Sequence, residues 1–269
     1  MGITKKQMPK EFIDIIEEER GLYEEGTSVT TQNDIPDTDK IPLDKPRLWL
    51  RIPDVICVYV DMMNSTQLSA TKHDKSTAAV YRFYTHTAVR IFHEFESPYI
   101  DVRGDGVFAL FNKNQPYRAL AAAVTFKTFA KEVFVPTVND STECDIGSHM
   151  GIDQKTVLVR RMGLRRASGR TDRQNEVWAG KPVSMAAKLG SLTADSELLI
   201  SDRYFKNLKD SLATKSCGCP SGKQVDLWEE VDVSEDDRLD FDRAYVLKSV
   251  WCGTHGKEYC EAIRDLDGD

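Results

Sequence analysis

Two aspartates stand beside predicted strands, where they could together hold a divalent cation. Asp61 follows the β-branched and aromatic run 55–60, and Asp105 lies in the Gly-Asp-Gly turn of a predicted hairpin. If the two strands lie side by side in one sheet, both carboxylates reach the same edge. Carboxylate oxygens are the ligands that Mg²⁺ or Mn²⁺ prefers when the ion also holds substrate phosphates. The alternative is that each aspartate merely caps a turn.

The short connection after Asp61 could bind phosphate. Asn64, Ser65 and Thr66 lead from the predicted strand into a predicted helix. Backbone N–H groups at such a helix start bind phosphate oxygens. An ordinary helix cap by Ser65 or Thr66 would explain the same residues. Together with the two aspartates, the connection predicts a nucleoside triphosphate site.

The elements that must position these residues follow from hydrophobic periodicity. In chain order we expect an exposed helix over 8–25, a strand over 55–60, a helix of about 25 residues, a hairpin of 99–103 and 107–111, a helix over 117–134, strands near 145–151 and 156–161, a helix over 182–194 and a strand over 197–201. The order βαββαβ is that of the ferredoxin-like α+β fold, and it covers about residues 52–210. We therefore expect an N-terminal arm and linker (1–46), a catalytic domain (47–210) and a C-terminal extension packed on that domain (211–269).

The composition excludes several classes of function. The chain has 269 residues, with 36 Lys and Arg against 43 Asp and Glu, a formal net charge of −7. This charge argues against a nucleic-acid partner, since such proteins are usually basic. The apolar runs are much shorter than the roughly 20 residues of a membrane span. The six cysteines come without a secretory signal pattern, so we expect a cytoplasmic protein with reduced thiols or metal ligands.

Three ordered segments carry a family resemblance. They are Tyr-Val-Asp-Met-Met-Asn-Ser-Thr at 59–66, Ile-Asp-Val-Arg-Gly-Asp-Gly at 100–106 and Trp-Ala-Gly-Lys-Pro-Val-Ser-Met-Ala-Ala-Lys at 178–188. They resemble the F-x-D-I-x-x-x-T, T-I-G-D and W-G-D-x-V-N-x-A-x-R motifs of class III nucleotidyl cyclases, in the same order and at similar spacing. The resemblance covers about residues 50–205. It implies a ferredoxin-like cyclase domain that forms a 3′,5′-cyclic nucleotide and releases pyrophosphate.

The resemblance also implies a site made by two chains. Asp61, Asp105 and the backbone carbonyl of Met62 match the ligands of two divalent metal ions, Mn²⁺ or Mg²⁺. In head-to-tail homodimers of this family, the other chain supplies the residues that match Lys181, Ser184 and Lys188.

Two of these positions depart from the family pattern. Ser184 replaces an Asn that contacts the ribose, and Lys188 replaces an Arg that stabilises the transition state. Lysine keeps the positive charge but loses the bidentate geometry of arginine. A catalytically silent nucleotide-binding module is therefore an alternative.

The positions that contact the base in adenylyl cyclases resemble Asp101 and Lys181 in this sequence, with acid and base reversed. Uracil, cytosine and guanine are all compatible with this pair, and a purine cyclase for GTP or ATP is the alternative within the family. Tyr59 would shorten the pocket and favour a pyrimidine, so UTP is expected first and CTP next. Arg103, in the second motif, is also expected to bind substrate.

The organisation of the chain, with an acidic arm, one cyclase domain and a C-terminal region that contains Cys and His, resembles the pyrimidine cyclases of bacterial Pycsar anti-phage systems. In those systems, cyclic UMP or cyclic CMP signals to a separate effector protein.

The C-terminal region carries soft metal ligands in two groups. These are Cys217 and Cys219, then Cys252, His255 and Cys260. Four or five such ligands could form a structural zinc site. Because C-x-C is a less typical spacing and buried free cysteines are common in protein cores, packing is the preferred interpretation.

Overall fold

The apolar run around Asp61 forms a strand of sixteen residues, Leu48–Met63, which is longer than the predicted one. The computed structural model describes residues 7–164 and 173–268. The strands are β1 (Ser28–Thr31), β2 (Leu48–Met63), β3 (Tyr99–Arg103), β4 (Gly106–Phe111), β5 (Gly147–Gly163), β6 (Gln174–Gly180), β7 (Leu198–Ser201), β8 (Trp228–Asp232) and β9 (Arg243–Leu247). The helices are α1 (Lys10–Glu24), α2 (Ser65–Thr71), α3 (Asp74–Glu94), α4 (Pro116–Phe129), α5 (Val135–Thr142), α6 (Lys181–Ser191), α7 (Asp202–Phe205), α8 (Ser211–Thr214) and α9 (Gly256–Arg264).

The chain divides into two compact units. The smaller unit comprises residues 1–52 and 158–179, and the larger one comprises residues 53–157 and 180–269. In the smaller unit, β1 pairs in parallel with the first residues of β2, and α1 buries none of its side chains. The predicted arm begins with residues 1–6, which lie outside the described residues.

The larger unit contains the predicted ferredoxin-like sheet. Its strands follow the order β3-β4-β2-β5-β7-β9-β8. The first four positions are the arrangement that βαββαβ connectivity produces, so the predicted α+β fold class is confirmed. The strands β8 and β9 from the C-terminal region extend the same sheet through pairing of β7 with β9.

Helices α3 and α4 enclose the core with aromatic side chains. Tyr84 and Phe92 of α3 are fully buried, as are Phe126 of α4 and Phe134 of the π-helical turn Ala130–Phe134. The rings of Tyr84 and Phe126 meet edge to face at 5.1 Å. All six residues of β4 are buried, and Val107, Ala109 and Phe111 belong to the same core as these helices. This packing fixes the hairpin β3–β4 that carries Asp105.

Three predicted elements differ from the structure. The helix predicted after Asp61 is two helices, because Lys72 and His73 are extended and Asp74 starts a new helix. The helix predicted to end before Pro136 continues as α5, since proline fits the first turn of a helix. The two strands predicted near 145–151 and 156–161 are one strand, β5.

Polar contacts explain the continuity of β5. Asp153 in its middle is fully buried and accepts hydrogen bonds from the Arg203 guanidinium of α7. The Gln154 amide donates to the Asp54 carbonyl oxygen at 3.0 Å. Because distant segments satisfy these polar groups, the strand passes through them without a turn.

Within the described part of the chain, no helix combines the length and apolar character that crossing a bilayer requires.

Candidate active site

The hairpin β3–β4 brings Asp105 next to Asp61. Strand β4 pairs antiparallel with β2, with Val60 opposite Val107, so the turn before β4 lies beside Asp61. Gly106 follows Asp105 directly in the chain and lies against the Asp61 side chain. A Cβ atom at Gly106 would lie 3.0 Å from Asp61 Oδ1. Only glycine leaves room for this close approach.

The environment makes Asp61 harder to ionise. Partial burial, followed by the negative charge of Asp105, raises the pKa of Asp61 to about 6. Hydrogen bonds from the Met62 backbone N–H and the Tyr59 hydroxyl act in the opposite direction. The pair therefore carries an unfavourable interaction between two carboxylates that a bound cation would relieve.

Tyr59 is tied to this carboxylate pair. Its hydroxyl donates to Asp61, and a Cβ atom at Gly106 would lie only 2.6 Å from that hydroxyl oxygen. Burial and the charges of Asp61 and Asp105 raise the pKa of Tyr59 far above its ordinary value. The phenol therefore stays protonated and acts as a donor.

The carboxylate pair fits a divalent cation. Among the residues that the structure describes, neither Asp61 nor Asp105 forms an ion pair with a lysine or arginine. Two adjacent carboxylates without a basic partner provide the hard oxygen ligands that Mg²⁺ and Mn²⁺ prefer. The donor set therefore suits the predicted metal ions.

The connection after β2 is a tight left-handed turn. Asn64 has a φ of 61° and donates from Nδ2 to the Asp145 carbonyl oxygen at 2.6 Å. Ser65 and Thr66 are the first residues of α2, and the residue before them makes no side-chain cap. The alternative that Ser65 or Thr66 is the helix cap is therefore wrong.

The two residues expected to contact the base have acidic and basic partners of their own. Asp101 on β3 accepts from Arg103 Nε at 2.8 Å. Lys181 is the first residue of α6, and its Nζ lies 2.7 Å from Asp240 Oδ2. The structure therefore places each of these two charges in an ion pair.

Asp240 is a functional candidate that the sequence motifs did not indicate. It binds Lys181, Lys155 and Arg203, the last two at 2.9 and 2.8 Å. Although partial burial acts in the opposite direction, hydrogen bonds from these cations hold the pKa of Asp240 far below its ordinary value. Its sequence context is an acidic loop, which is typical of a solvated surface, so no local signal distinguished it.

The predicted partner-side residues share one face of α6. Lys181, Ser184 and Lys188 are three, four and seven positions apart, which places them on one side of a helix. Ser184 Oγ donates to the Lys181 carbonyl oxygen at 3.1 Å, and Lys188 Nζ donates to the Arg238 carbonyl oxygen at 2.6 Å. The opposite face of α6 packs closely on β5, where Gly151 leaves room for the backbone at Ala186 and Gly190 that a side chain would fill.

The predicted site residues thus form two groups within the larger unit. At the edge formed by β2 and β4, Tyr59 donates to Asp61, and both side chains interact electrostatically with Asp105. Lys181 and Lys188 instead contact the loop before β9, at Asp240 and Arg238.

Solved structures resemble this fold. The catalytic core of a rhodopsin-guanylyl cyclase with converted specificity, in complex with ATPαS, superposes with a TM-score of 0.59 at 14% identity, over 77% of this chain and all of that one. A non-canonical dimeric guanylyl cyclase domain from the aquatic fungus Blastocladiella emersonii superposes with a TM-score of 0.54 at 16% identity, over 73% of this chain and 97% of that one. The fold is that of a class III nucleotidyl cyclase domain.

Curated relatives narrow the class. A uridylate cyclase from Propioniciclava tarda is 37% identical over 230 residues, which are 84% of this chain and 73% of the relative. A uridylate cyclase from Micromonospora echinofusca is 33% identical over 232 residues, 84% of this chain and 74% of the relative. No protein-family model matches the chain. The chain belongs to the nucleotidyl cyclase family that includes these uridylate cyclases, and it is a nucleotide cyclase.

Proposed function

We propose that the protein converts a pyrimidine nucleoside triphosphate, UTP first and CTP next, to its 3′,5′-cyclic monophosphate. The observation that carries this proposal is the half-buried pair of Asp61 and Asp105 at the edge of β2 and β4. Relatives that are named uridylate cyclases support the choice of base. In the reaction, the ribose 3′-hydroxyl loses its proton to solvent and its oxygen bonds to the α-phosphorus. The bond from the α-phosphorus to the oxygen shared with the β-phosphate breaks, and pyrophosphate leaves with that oxygen.

Asp61, Asp105 and the Met62 carbonyl are the groups that would hold two divalent cations, Mn²⁺ or Mg²⁺. Such cations polarise phosphate oxygens and acidify a hydroxyl nucleophile. Tyr59 keeps the Asp61 carboxylate in place by its hydrogen bond and favours the ionised form. Asn64, Ser65 and Thr66, at the turn into α2, would donate to the phosphate oxygens.

The second group of residues would act across a homodimer. Lys181 and Lys188 contact the loop before β9 and not the carboxylate pair, which supports a site whose two halves would come from different chains. Two antiparallel copies would bring the α6 face of one chain to the aspartates of the other. Ser184 would then reach the ribose, and Lys188 would neutralise charge on the phosphates in the transition state.

Asp101 and Lys181 would recognise the base. Asp101 accepts hydrogen bonds and suits the N3–H of uracil, whereas Lys181 donates and suits its O4. Cytosine N3 is an acceptor and would face the Asp101 carboxylate without a proton between them. Arg103 Nε donates to Asp101 Oδ2 within β3 and would hold that carboxylate in position.

The product would serve as a second messenger in anti-phage defence. We expect the protein in the bacterial cytoplasm, with a separate effector protein that binds the cyclic nucleotide. Cells that carry the gene should accumulate cyclic pyrimidine nucleotide after phage infection. Cells with the Asp105→Asn variant should not.

The proposed reaction is tested with purified protein, Mn²⁺ and UTP. We expect cyclic UMP by mass spectrometry and one pyrophosphate for each product formed. Asp105→Asn should bind nucleotide but form neither product. Binding of UTP without turnover by the unmodified protein would instead indicate a catalytically silent nucleotide-binding module.

A further inference from the structure

Four soft ligands from the C-terminal region converge in the structure. Cys217 and Cys219 lie in the loop after α8, and Cys252 and His255 lie just before α9. One ligand atom from each lies within 4.8 Å of all the others. The sequence separates these two pairs by more than thirty residues, so only the fold brings them together.

Their spacing matches that of a tetrahedral metal site. Zinc bonds sulfur and nitrogen at about 2.0–2.3 Å, which places the ligand atoms of one ion roughly 3.5–4 Å apart. Cys219 Sγ lies 3.2 Å from His255 Nδ1. None of the four cysteines in this region forms a disulfide.

The backbone around the cluster is arranged to support a thiolate. The N–H groups of Thr254 and His255 donate to Cys252 Sγ. Gly218, between Cys217 and Cys219, has a φ of 89°, which favours glycine. Hydrogen bonds to the sulfur from residues two and three positions later orient it toward the cluster centre.

The structure also separates Cys260 from this cluster. Its Sγ lies 3.7 Å from Thr125 Oγ1 of α4, and Cys260 is not among the ligands that converge. Of the five candidate ligands in the sequence, four therefore converge, and the fifth, Cys260, packs against α4.

We propose that Cys217, Cys219, Cys252 and His255 bind one structural zinc ion. Four protein ligands complete a tetrahedral shell and leave no position for a substrate, which distinguishes structural from catalytic zinc. This ion is separate from the two cations of the proposed reaction, because its ligands are sulfur and nitrogen rather than carboxylate.

The zinc ion would link the loop after α8 to the segment just before α9. That segment and the residues after α9 both contact α4. In that segment, Trp251 Nε1 donates to Thr125 Oγ1 of α4 at 2.9 Å. Beyond α9, Asp267 accepts from the backbone N–H groups of Tyr117 and Arg118 at the start of α4. By fixing Cys252 and His255, the ion would therefore stabilise the contacts of Trp251 and Asp267 with α4.

The test measures metal content in the full chain, expressed in zinc-supplemented medium and purified under reducing conditions without a metal-affinity column. We expect about one zinc per chain by inductively coupled plasma mass spectrometry. Cys219→Ser, at an exposed position, should lose the zinc, whereas the matched control Cys260→Ser should keep it. Asp105→Asn should also keep it, which separates this site from the proposed catalytic one.

Two further measurements keep the result interpretable if a variant folds poorly. In the unmodified protein, a strong chelator should increase the alkylation rate of Cys219 about tenfold and leave Cys260 unchanged. Replacement of zinc by Co²⁺ should give thiolate-to-metal charge-transfer absorption. Zinc-free protein after supplementation, equal zinc in Cys219→Ser and unmodified protein, or a disulfide within the cluster would each overturn the proposal.

Discussion

The Nζ atom of Lys181 lies 2.7 Å from Oδ2 of Asp240, and the same carboxylate binds Lys155 and Arg203. The lysine expected to contact the base is therefore positioned by an acid from a loop almost sixty residues later in the chain. We therefore expect Asp240 to act as a positioning residue for substrate recognition.

Asp240→Asn should weaken the preference for UTP. Without the carboxylate, Lys181 loses its charged partner, and we expect the ratio of kcat/KM for UTP over CTP to fall at least about fivefold, roughly 1 kcal/mol. Asp236→Asn is the matched control, because Asp236 pairs with exposed Arg238 in the same loop. An unchanged UTP-to-CTP ratio in Asp240→Asn would contradict the positioning role.

Asp61→Asn should abolish turnover and stabilise the metal-free protein at pH 8. The folded-state pKa of Asp61 is raised to about 6. Stability from this group is therefore present below the unfolded pKa of about 4 and is lost as pH rises through about 6. Because Asp61 is partly exposed, we expect a gain of only about 1 kcal/mol for the amide.

Thermal unfolding in the presence of a chelator measures this effect. Asp140→Asn, on the exposed side of α5, is the control and should leave stability unchanged. A lower midpoint temperature for Asp61→Asn than for the unmodified protein would argue against the strained carboxylate pair.

The apparent affinity for Mn²⁺ should decrease as pH falls below about 6. A proton on Asp61 competes with the cation, so the half-saturating Mn²⁺ concentration should rise about tenfold for each pH unit below the pKa. This concentration is measured by titrating UTP turnover with Mn²⁺ at several pH values from 5 to 8, at constant ionic strength. A half-saturating concentration that is the same at pH 5 and pH 7.5 would contradict the assignment.

Tyr59→Phe distinguishes two roles for this side chain. The hydroxyl donates to Asp61 and lowers its pKa, so its removal should move the Mn²⁺ dependence to higher pH. The phenylalanine ring keeps the size that would restrict the base pocket, so preference for pyrimidines should persist. If the base preference changes while the pH dependence does not, the hydroxyl contacts the base rather than supporting Asp61.

Two inactive variants should restore activity when mixed. Asp61→Asn removes one half of the proposed site and Lys188→Ala the other. After subunit exchange, half of the dimers carry one intact site, so about a quarter of the unmodified activity should return. As the control, each variant is carried through the same exchange procedure alone and should stay inactive. Absence of activity in a mixture shown to exchange subunits would contradict a shared site.

The sequence predicted those parts of the fold that depend on local pattern. The order βαββαβ followed from hydrophobic periodicity, and α6 begins with Lys181 and Pro182 close to the predicted start. Asp61 and Asp105 could be expected to meet because the strands that carry them are neighbours in a ferredoxin-like sheet.

The remaining features depend on distant partners. Asp153 resembles a loop residue in sequence, yet it lies inside β5 because Arg203 neutralises it. The role of Asp240 and the convergence of Cys219 with His255 likewise need the folded chain. No local pattern encodes contacts between segments that lie dozens of residues apart.

The most direct test of the account is competition among the four nucleoside triphosphates. The purified protein is incubated with Mn²⁺ and equimolar ATP, GTP, CTP and UTP, and the cyclic products are quantified by mass spectrometry. The account predicts cyclic UMP as the main product, followed by cyclic CMP, with none of either from Asp105→Asn. A cyclic purine nucleotide as the main product would keep the cyclase chemistry and contradict the assignment of Tyr59, Asp101 and Lys181 to a pyrimidine.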